Sequence, residues 1–203
     1  MPAYIYNKMV EEATKSGVTL TKFTEKASSW LIQKYAQINK EDVRPVRFIN
    51  EAERKKKIVR IGRLYMFLYD PKGKKELPYY DRFPLVFPVD FETDGFYGLN
   101  MHYLPPILRA KLYDSLLELQ TKSELKGISA IELTRVRVTY TLLKKAARFR
   151  WFKPCFKHYL YKQVRSPFII VPQEEWNMTM FLPSEQFRKS TKEKVWQDSR
   201  SKI

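Results

Sequence analysis

The densest run of chemistry-bearing side chains is residues 135–165, where ten cations, Arg135, Arg137, Lys144, Lys145, Arg148, Arg150, Lys153, Lys157, Lys162 and Arg165, occur without one carboxylate. Such a run cannot neutralise itself locally, so it points to a polyanionic partner, nucleic acid first and an anionic surface second. Tyr140, Phe149, Trp151, Phe152, Phe156, Tyr159 and Tyr161 are interleaved with it. Cations that neutralise phosphates beside rings that stack on unpaired bases are the pattern of single-strand or DNA-end binding. The same rings also suit a core, and then only the cationic face is left for the partner. On a helical wheel Val136, Tyr140, Leu143 and Ala147 share one stripe, while Arg137, Lys144 and Arg148 share another about 90° away. A second run, Arg54-Lys55-Lys56-Lys57, closes a polar connector and adds candidate phosphate contacts.

The carboxylates suggest a different chemistry. Asp81, Asp90, Glu92 and Asp94, converging at one end of a small sheet, are the groups a Mg²⁺-dependent nuclease needs. Asp90-Phe91-Glu92-Thr93 lacks the lysine two residues after the acid that a restriction-type site uses, and acids in such positions also serve as turn formers. His102 is a candidate base or a partner of Tyr80 or Asp81. Cys155 and His158 meet if residues 154–163 form a helix, but with Phe152 and Phe156 around it the thiol reads as buried and inert. One cysteine and two histidines build neither a Cys/His zinc site nor an intrachain disulfide. Walker A, the dinucleotide glycine fingerprint, the nucleophile elbow and HExxH are missing from the sequence, so no cofactor and no common nucleotide enzyme is expected.

These residues need elements to hold them. The 203 residues, 44% hydrophobic and 15% aromatic, are enough for one domain-sized core, with room for an appended lobe. Residues 4–14 and 20–38 read as helices, the second with Phe23, Ala27, Trp30, Leu31 and Tyr35 as its apolar stripe and Thr19 or Thr21 as its cap. From residue 58 the pattern turns to β: strands at 62–70, at Phe83–Asp90 and at Phe96–Leu104 are separated by turns at 70–74 and 92–95. Pro84 and Pro88 demand an edge or a bulge, and Gly98 a bend or a close backbone approach. Three short strands and two tight turns predict a small SH3-like barrel or bent sheet. Helices are expected at 106–120, with Arg109 and Lys111 away from the apolar centre, and at 130–150, followed by the 154–163 helix, a strand at 168–172 and a polar C-terminal arm from Pro183. The fold class is therefore α+β, divided as 1–57, 58–105 and 106–203.

The excess of 38 Lys and Arg over 22 Asp and Glu, +16, is uneven: +4 in residues 1–56, +1 in 57–105 and +11 in 106–203. The first residues lack an apolar signal core, and no stretch approaches the ~18 apolar residues of a membrane span, so an intracellular place of assembly is expected. A basic amphipathic helix also suits an anionic bilayer, but here the chain has other elements to cover the apolar face, so no membrane partner is expected.

The strings LPYYDRFPLVFP, GFYGLNMHYLPP and VWQDSR, within residues 58–203, resemble a family of small virion-associated proteins of T4-like tailed bacteriophages, some labelled DNA end protector. The resemblance implies a non-enzymatic virion protein assembled in the host cytoplasm. It would bind packaged DNA or its ends, or sit at the head-tail junction, tail or baseplate beside other virion structural proteins, with room for homo-oligomers. It assigns no catalytic residue. Three readings follow: a DNA-binding protein using the 135–165 cations and Arg54 to Lys57, a neck, tail or baseplate subunit facing acidic proteins, and a nuclease using Asp81, Asp90 and Asp94.

Overall fold

A computed structural model of the chain describes residues 4–20, 24–35, 37–38, 44–109, 112 and 153–201. The first helix, α1 (Tyr4–Lys15), buries Met9 and Ala13, one turn apart. Gly17 ends it at φ 65°, where Gly17 N–H donates to Thr14 O at 2.9 Å and Val18 N–H to Ala13 O at 2.8 Å. This paired arrangement satisfies the last carbonyls and needs the left-handed conformation that glycine adopts without penalty. Helix α2 (Glu25–Tyr35) is capped by Thr24, whose Oγ1 accepts from Ala27 N–H at 3.1 Å, while the expected cap Thr21 and the stripe residue Phe23 lie outside the described residues. A short helix, α3 (Pro45–Ile49), begins with the proline the first turn tolerates.

Among the described residues six strands form one antiparallel sheet: β1 (Lys55–Lys56), β2 (Leu64–Met66), β4 (Leu85–Phe91), β5 (Gly95–Asn100), β6 (Phe156–Leu160) and β7 (Phe168–Val171). Their order is β1-β7-β2-β4-β5-β6, and β3 (Tyr80–Asp81) pairs with β8 (Phe187–Arg188) in a separate ribbon. Because β1 and β6 are edges that do not pair with each other, the sheet stays open, so of the SH3-like barrel or bent sheet expected the closed barrel does not form. Strands from beyond residue 105 complete it, which the local turn pattern did not reveal. The expected helix at 154–163 is likewise a strand, β6, flanked by single 3₁₀ turns. Pairing along β5, from Leu99↔Phe156 to Gly95↔Leu160, overrides its helical spacing.

The prolines and glycines behave as their chemistry requires. Strand β4 is central, and its register with β5 shifts between Pro88 and Asp90, a bulge that accommodates the missing donor. Gly98 faces Pro88, and a Cβ there would collide with Val86 Cγ1.

Alternation along the strands splits the interior. Leu64, Met66, Leu85, Phe87 and Leu99 join the core that includes α1, α2 and α4 (Trp176–Phe181). Tyr65, Phe67, Tyr69, Val86, Phe96, Tyr159 and Phe168 form a second, aromatic cluster, with ring centroids such as Phe67–Phe168 5.1 Å apart and edge-to-face. The C-terminal segment, expected as a projecting arm, folds back as α5 (Lys192–Ser201): Val195 and Ser199 are buried, and Trp196 Nε1 donates to His102 O at 2.9 Å.

Candidate nucleic-acid interface

Of the ten cations in the acid-free run, Arg135, Arg137, Lys144, Lys145, Arg148 and Arg150 lie outside the described residues. Lys153 and Lys162 are exposed in the turns on either side of β6, and Lys157 is half-buried on that edge strand. Arg165 is exposed and donates to Lys162 O at 2.9 Å. These four therefore follow a strand and its flanking turns rather than one helical face.

The shorter run divides. Lys55 and Lys56 form edge strand β1, opposite Ile169 and Phe168, and they and Lys57 are exposed. Arg54, expected on the surface, is buried: Nη2 donates to Glu175 Oε1 at 2.7 Å, Nη1 to Glu175 Oε2, and Nε lies 2.5 Å from a Glu51 carboxylate oxygen. Its guanidinium holds the first turn after α3 to the start of α4, so the run presents three cations rather than four. Edges β1 and β6 are at opposite ends of the sheet, so the fold does not bring Lys55–Lys57 together with Lys157.

A cationic group that composition concealed lies beside the β2–β3 loop. The Asp70 carboxyl is held below its usual range by the hydrogen bond from Lys74 against the opposing effect of burial, with further help from the charges of Lys74, Arg165 and Arg82. Lys74 Nζ is 2.9 and 3.0 Å from the two carboxylate oxygens. Lys72 and Lys75 extend the group, and Lys189 Nζ fastens the loop by donating to Lys75 O at 2.7 Å and Leu77 O at 3.0 Å.

The predicted acids and histidines are placed differently. Asp81, at 4% exposure, accepts from His102 Nδ1 at 2.7 Å, and His102 Nε2 is 3.0 Å from Ser184 Oγ. The carboxylate accepts only, so Nδ1 carries the proton. Burial pushes the Asp81 carboxyl up, but the charge and hydrogen bond of His102, with donors Phe83 N–H and Asn100 Nδ2, bring it below its ordinary value. The order Ser–His–Asp matches acyl-transfer sites. Yet His102 and Ser184 are both 0% exposed, so the hydroxyl cannot meet a substrate, and the chain of bonds ties β3 to the 101–103 turn and the segment before β8. Asp90 accepts from Phe91 N–H, Glu92 and Asp94 are exposed, and among the described residues no three His, Cys, Asp or Glu gather as metal ligands. The nuclease constellation is thus not assembled there.

Cys155 is buried, and burial pushes its thiol up to about 12. His158 stacks on Tyr97, centroids 4.6 Å apart, and its Nε2 lies 3.6 Å from Asp94. The strand therefore gives Cys155 and His158 separate neighbours.

Sequence reasoning missed a pocket of about 260 Å³ between β3, the end of β5 and β6. Tyr79, Tyr80, Tyr103 and Lys157 contribute to its wall, with Leu77 and Pro78 from the loop. Lys157 Nζ sits 4.0 Å from the Tyr103 ring centroid, a cation–π contact that fixes the ammonium. The signal available was LPYYDRF, whose paired tyrosines precede the buried Asp81.

No curated protein and no solved structure matches the chain. Its sequence does match the family described as phage T4 terminal DNA protecting protein over residues 8–200, nearly its whole length and including the N-terminal helices that the distinctive strings did not cover. That description names a protective role, and the serine–histidine–aspartate chain of this fold is sealed from substrate. On a match of this extent, the chain belongs to the phage T4 terminal DNA protecting protein family.

Proposed function

We propose that the protein binds the ends of linear phage DNA within the virion and shields them from nucleases, through phosphate contacts made by its exposed cations. The family match over residues 8–200 carries this reading. The exposed Lys55, Lys56, Lys57, Lys153, Lys162 and Arg165 support it, as does the acid-free run of Arg135, Arg137, Lys144, Lys145, Arg148 and Arg150. Phosphate contacts supply affinity without reading sequence, as end protection of a whole genome population requires. A protein that covers an end blocks an exonuclease by occupying its starting point, so no bond needs to be made or broken.

The test is exonuclease digestion of linear DNA with and without the protein, together with binding over a salt series. Wild type should slow digestion from the ends. Each phosphate contact contributes about −0.9 to the slope of log K against log salt, so Arg137→Gln/Lys144→Gln/Arg148→Gln should flatten the slope by about 2.7. Digestion at the rate of free DNA, or a wild-type slope near zero, refutes the proposal. Localisation of the protein away from DNA in the assembled particle, with these cations paired to carboxylates of neighbours, would favour a structural neck or tail subunit.

A further inference from the structure

The fold joins two acid-free stretches that lie far apart in the chain. Residues 54–69 and 135–173 contain no Asp or Glu, and the strands they supply are neighbours in the order β1-β7-β2. We propose that the end of β1, the link from it to β2 (residues 57–63) and the turn that leads into β7 form one stripe of cations, Lys56, Lys57, Arg60, Arg63, Lys162 and Arg165, that grips the backbone of duplex DNA. This rests on the DNA-binding reading above and says which surface holds the duplex.

The register of the strands places the link. Both β1 and β2 are antiparallel to β7, so they run parallel to each other and the link between them has to travel back along β7. Strand β1 ends with Lys56 beside Phe168, at the start of β7, whereas β2 begins with Leu64 beside Val171, at its end. The link takes the face away from the helices. Phe168 and Ile170 give that face of β7 to the aromatic cluster, in which Val59 is also buried, while Ile169 and Val171 belong to the core that includes α1, α2 and α4. With Val59 turned inwards, its neighbours Ile58 and Arg60 are exposed, as are Lys57 and Arg63. Arg60 N–H donates to Tyr65 Oη at 3.0 Å and ties the link to β2, so these cations stand on a fastened backbone.

The second stretch reaches the same place from the other side. Arg165 N–H donates to Leu68 O at 2.8 Å and Leu68 N–H to Ser166 Oγ at 2.8 Å, which fastens the turn before β7 to the continuation of β2. Exposed Arg165 therefore lies at the end of β7 that Lys56 and Lys57 reach. Its guanidinium donates to Lys162 O at 2.9 Å and to Gln163 Oε1 at 3.4 Å, and Lys162 is exposed beside it. Asp70, the acid that closes the first stretch, is held by Lys74 at 2.9 and 3.0 Å. The four residues of β7 run about 13 Å at ~3.3 Å each. One strand of a duplex presents a phosphate every ~3.4 Å of axis, so the stripe spans about four of them.

Charge is what this surface offers. Tyr65, Phe67, Tyr69 and Phe168, the rings of its strands, are buried together and cannot stack on unpaired bases, so a regular phosphate backbone suits it better than a single strand. A bilayer is the poorer match. Ile58, 74% exposed, is one apolar side chain among cations, not the broad apolar face that lies in a membrane surface.

The experiment measures binding of the full chain to a linear duplex of mixed sequence over a salt series. Wild type should show a steep slope of log K against log salt. Lys57→Gln/Arg60→Gln/Arg165→Gln should flatten it by about 2.7, at about 0.9 per lost contact, whereas Lys57→Arg/Arg60→Lys/Arg165→Lys should keep the wild-type slope. Lys8→Gln/Lys15→Gln/Arg200→Gln removes the same charge from exposed positions on α1 and α5 and should leave the slope in place. If that set flattens the slope as much as the stripe set does, only net charge matters and the stripe is refuted. If the stripe set binds as wild type while Arg137→Gln/Lys144→Gln/Arg148→Gln flattens the slope, the stripe is wrong and the DNA-binding reading stands. A wild-type slope near zero removes both. Tighter binding to a single strand of equal length, or stripe-dependent binding to vesicles of anionic phospholipid with none to DNA, would also overturn the assignment to duplex.

Discussion

Arg109→Met tests how far the positive charge of this chain is structural. Arg109 is 0% exposed, although its place on the predicted helix put it away from the apolar centre. Its Nε donates to Leu104 O at 2.6 Å, Nη1 to Met180 O at 3.2 Å and Nη2 to the Glu185 carboxylate, while the guanidinium lies 5.6 Å from the Trp196 ring. Methionine approximates its stem but leaves Glu185 buried without its cation and two carbonyls without a donor. Removing one member of such a pair costs about 3–5 kcal/mol. For a chain of this size that is roughly 6–20 °C in Tm. The pH dependence identifies the cause. In the wild type burial raises the Glu185 carboxyl, but the charge and hydrogen bond of Arg109, joined by the His102 charge, together outweigh it, and the carboxyl is held below its ordinary value. It therefore adds stability in full above its unfolded pKa of about 4.3, and that stability is lost as pH falls through the lower folded value. Without Arg109 burial dominates, and the folded pKa rises above 4.3. The penalty is then full above that raised value and is relieved as pH falls through it. Urea unfolding at pH 7 and pH 4.5 should show the gap between wild type and variant narrowing in acid, and Glu185→Gln on the Arg109→Met background should recover part of the loss at pH 7. A gap that is the same at both pH values would refute the account, because lost packing alone does not titrate.

Four further outcomes can be measured on the same footing. Gly98→Ala should lower stability by about 1–3 kcal/mol, since its Cβ overlaps Val86 Cγ1 and sits 3.1 Å from Phe87 O; Gly95→Ala should cost at least as much, because the obstruction is the Tyr159 carbonyl of β6. Urea midpoints within experimental error of wild type would contradict both. Cys155 should resist a thiol reagent at pH 8 in the native protein and react once unfolded, because it is buried with its thiol pushed up to about 12; rapid native labelling would show the site open. Asp81→Ala should destabilise the protein at neutral pH by at least about 1–3 kcal/mol by orphaning buried His102 and Asn100 donors. Its effect should shrink as pH drops below about 3.9, because the lowered Asp81 pKa means the wild type loses that contribution in acid.

What could be read in advance was local. The 92–95 turn, the bulge demanded by Pro88, the close approach at Gly98 and a partnership between His102 and Asp81 each follow from residues whose chemistry acts within a few positions or on an adjacent strand. The failures are non-local. Phe156–Leu160 has helical spacing but pairs with Gly95–Leu99, some sixty residues earlier, and that pairing turns a supposed barrel into an open sheet. The segment from Pro183 was recognisable as polar but reads as an arm, and only the distant His102 carbonyl, which accepts from Trp196 Nε1, shows why it folds back as a helix.

The same distinction governs the charge. A basic residue in a sequence carries no mark of whether it meets a phosphate or a buried carboxylate. Arg54 finds Glu175 across 121 positions, and Arg109 finds Glu185 across 76, so neither could be subtracted from the binding surface by inspecting its neighbours. The near-neutral β segment hides the opposite error. Its acids are not uniformly available to cancel its cations, because Asp81 is sealed around His102 while Lys72, Lys74, Lys75 and Arg82 stay exposed. Net charge of +1 in that segment is therefore compatible with a positive outer surface. On the proposed reading the cations along 135–165 supply the diffuse charge that holds any duplex, in a form that composition reveals, whereas the placing of Arg54 and Arg109 against buried carboxylates shows only once distant segments are brought together.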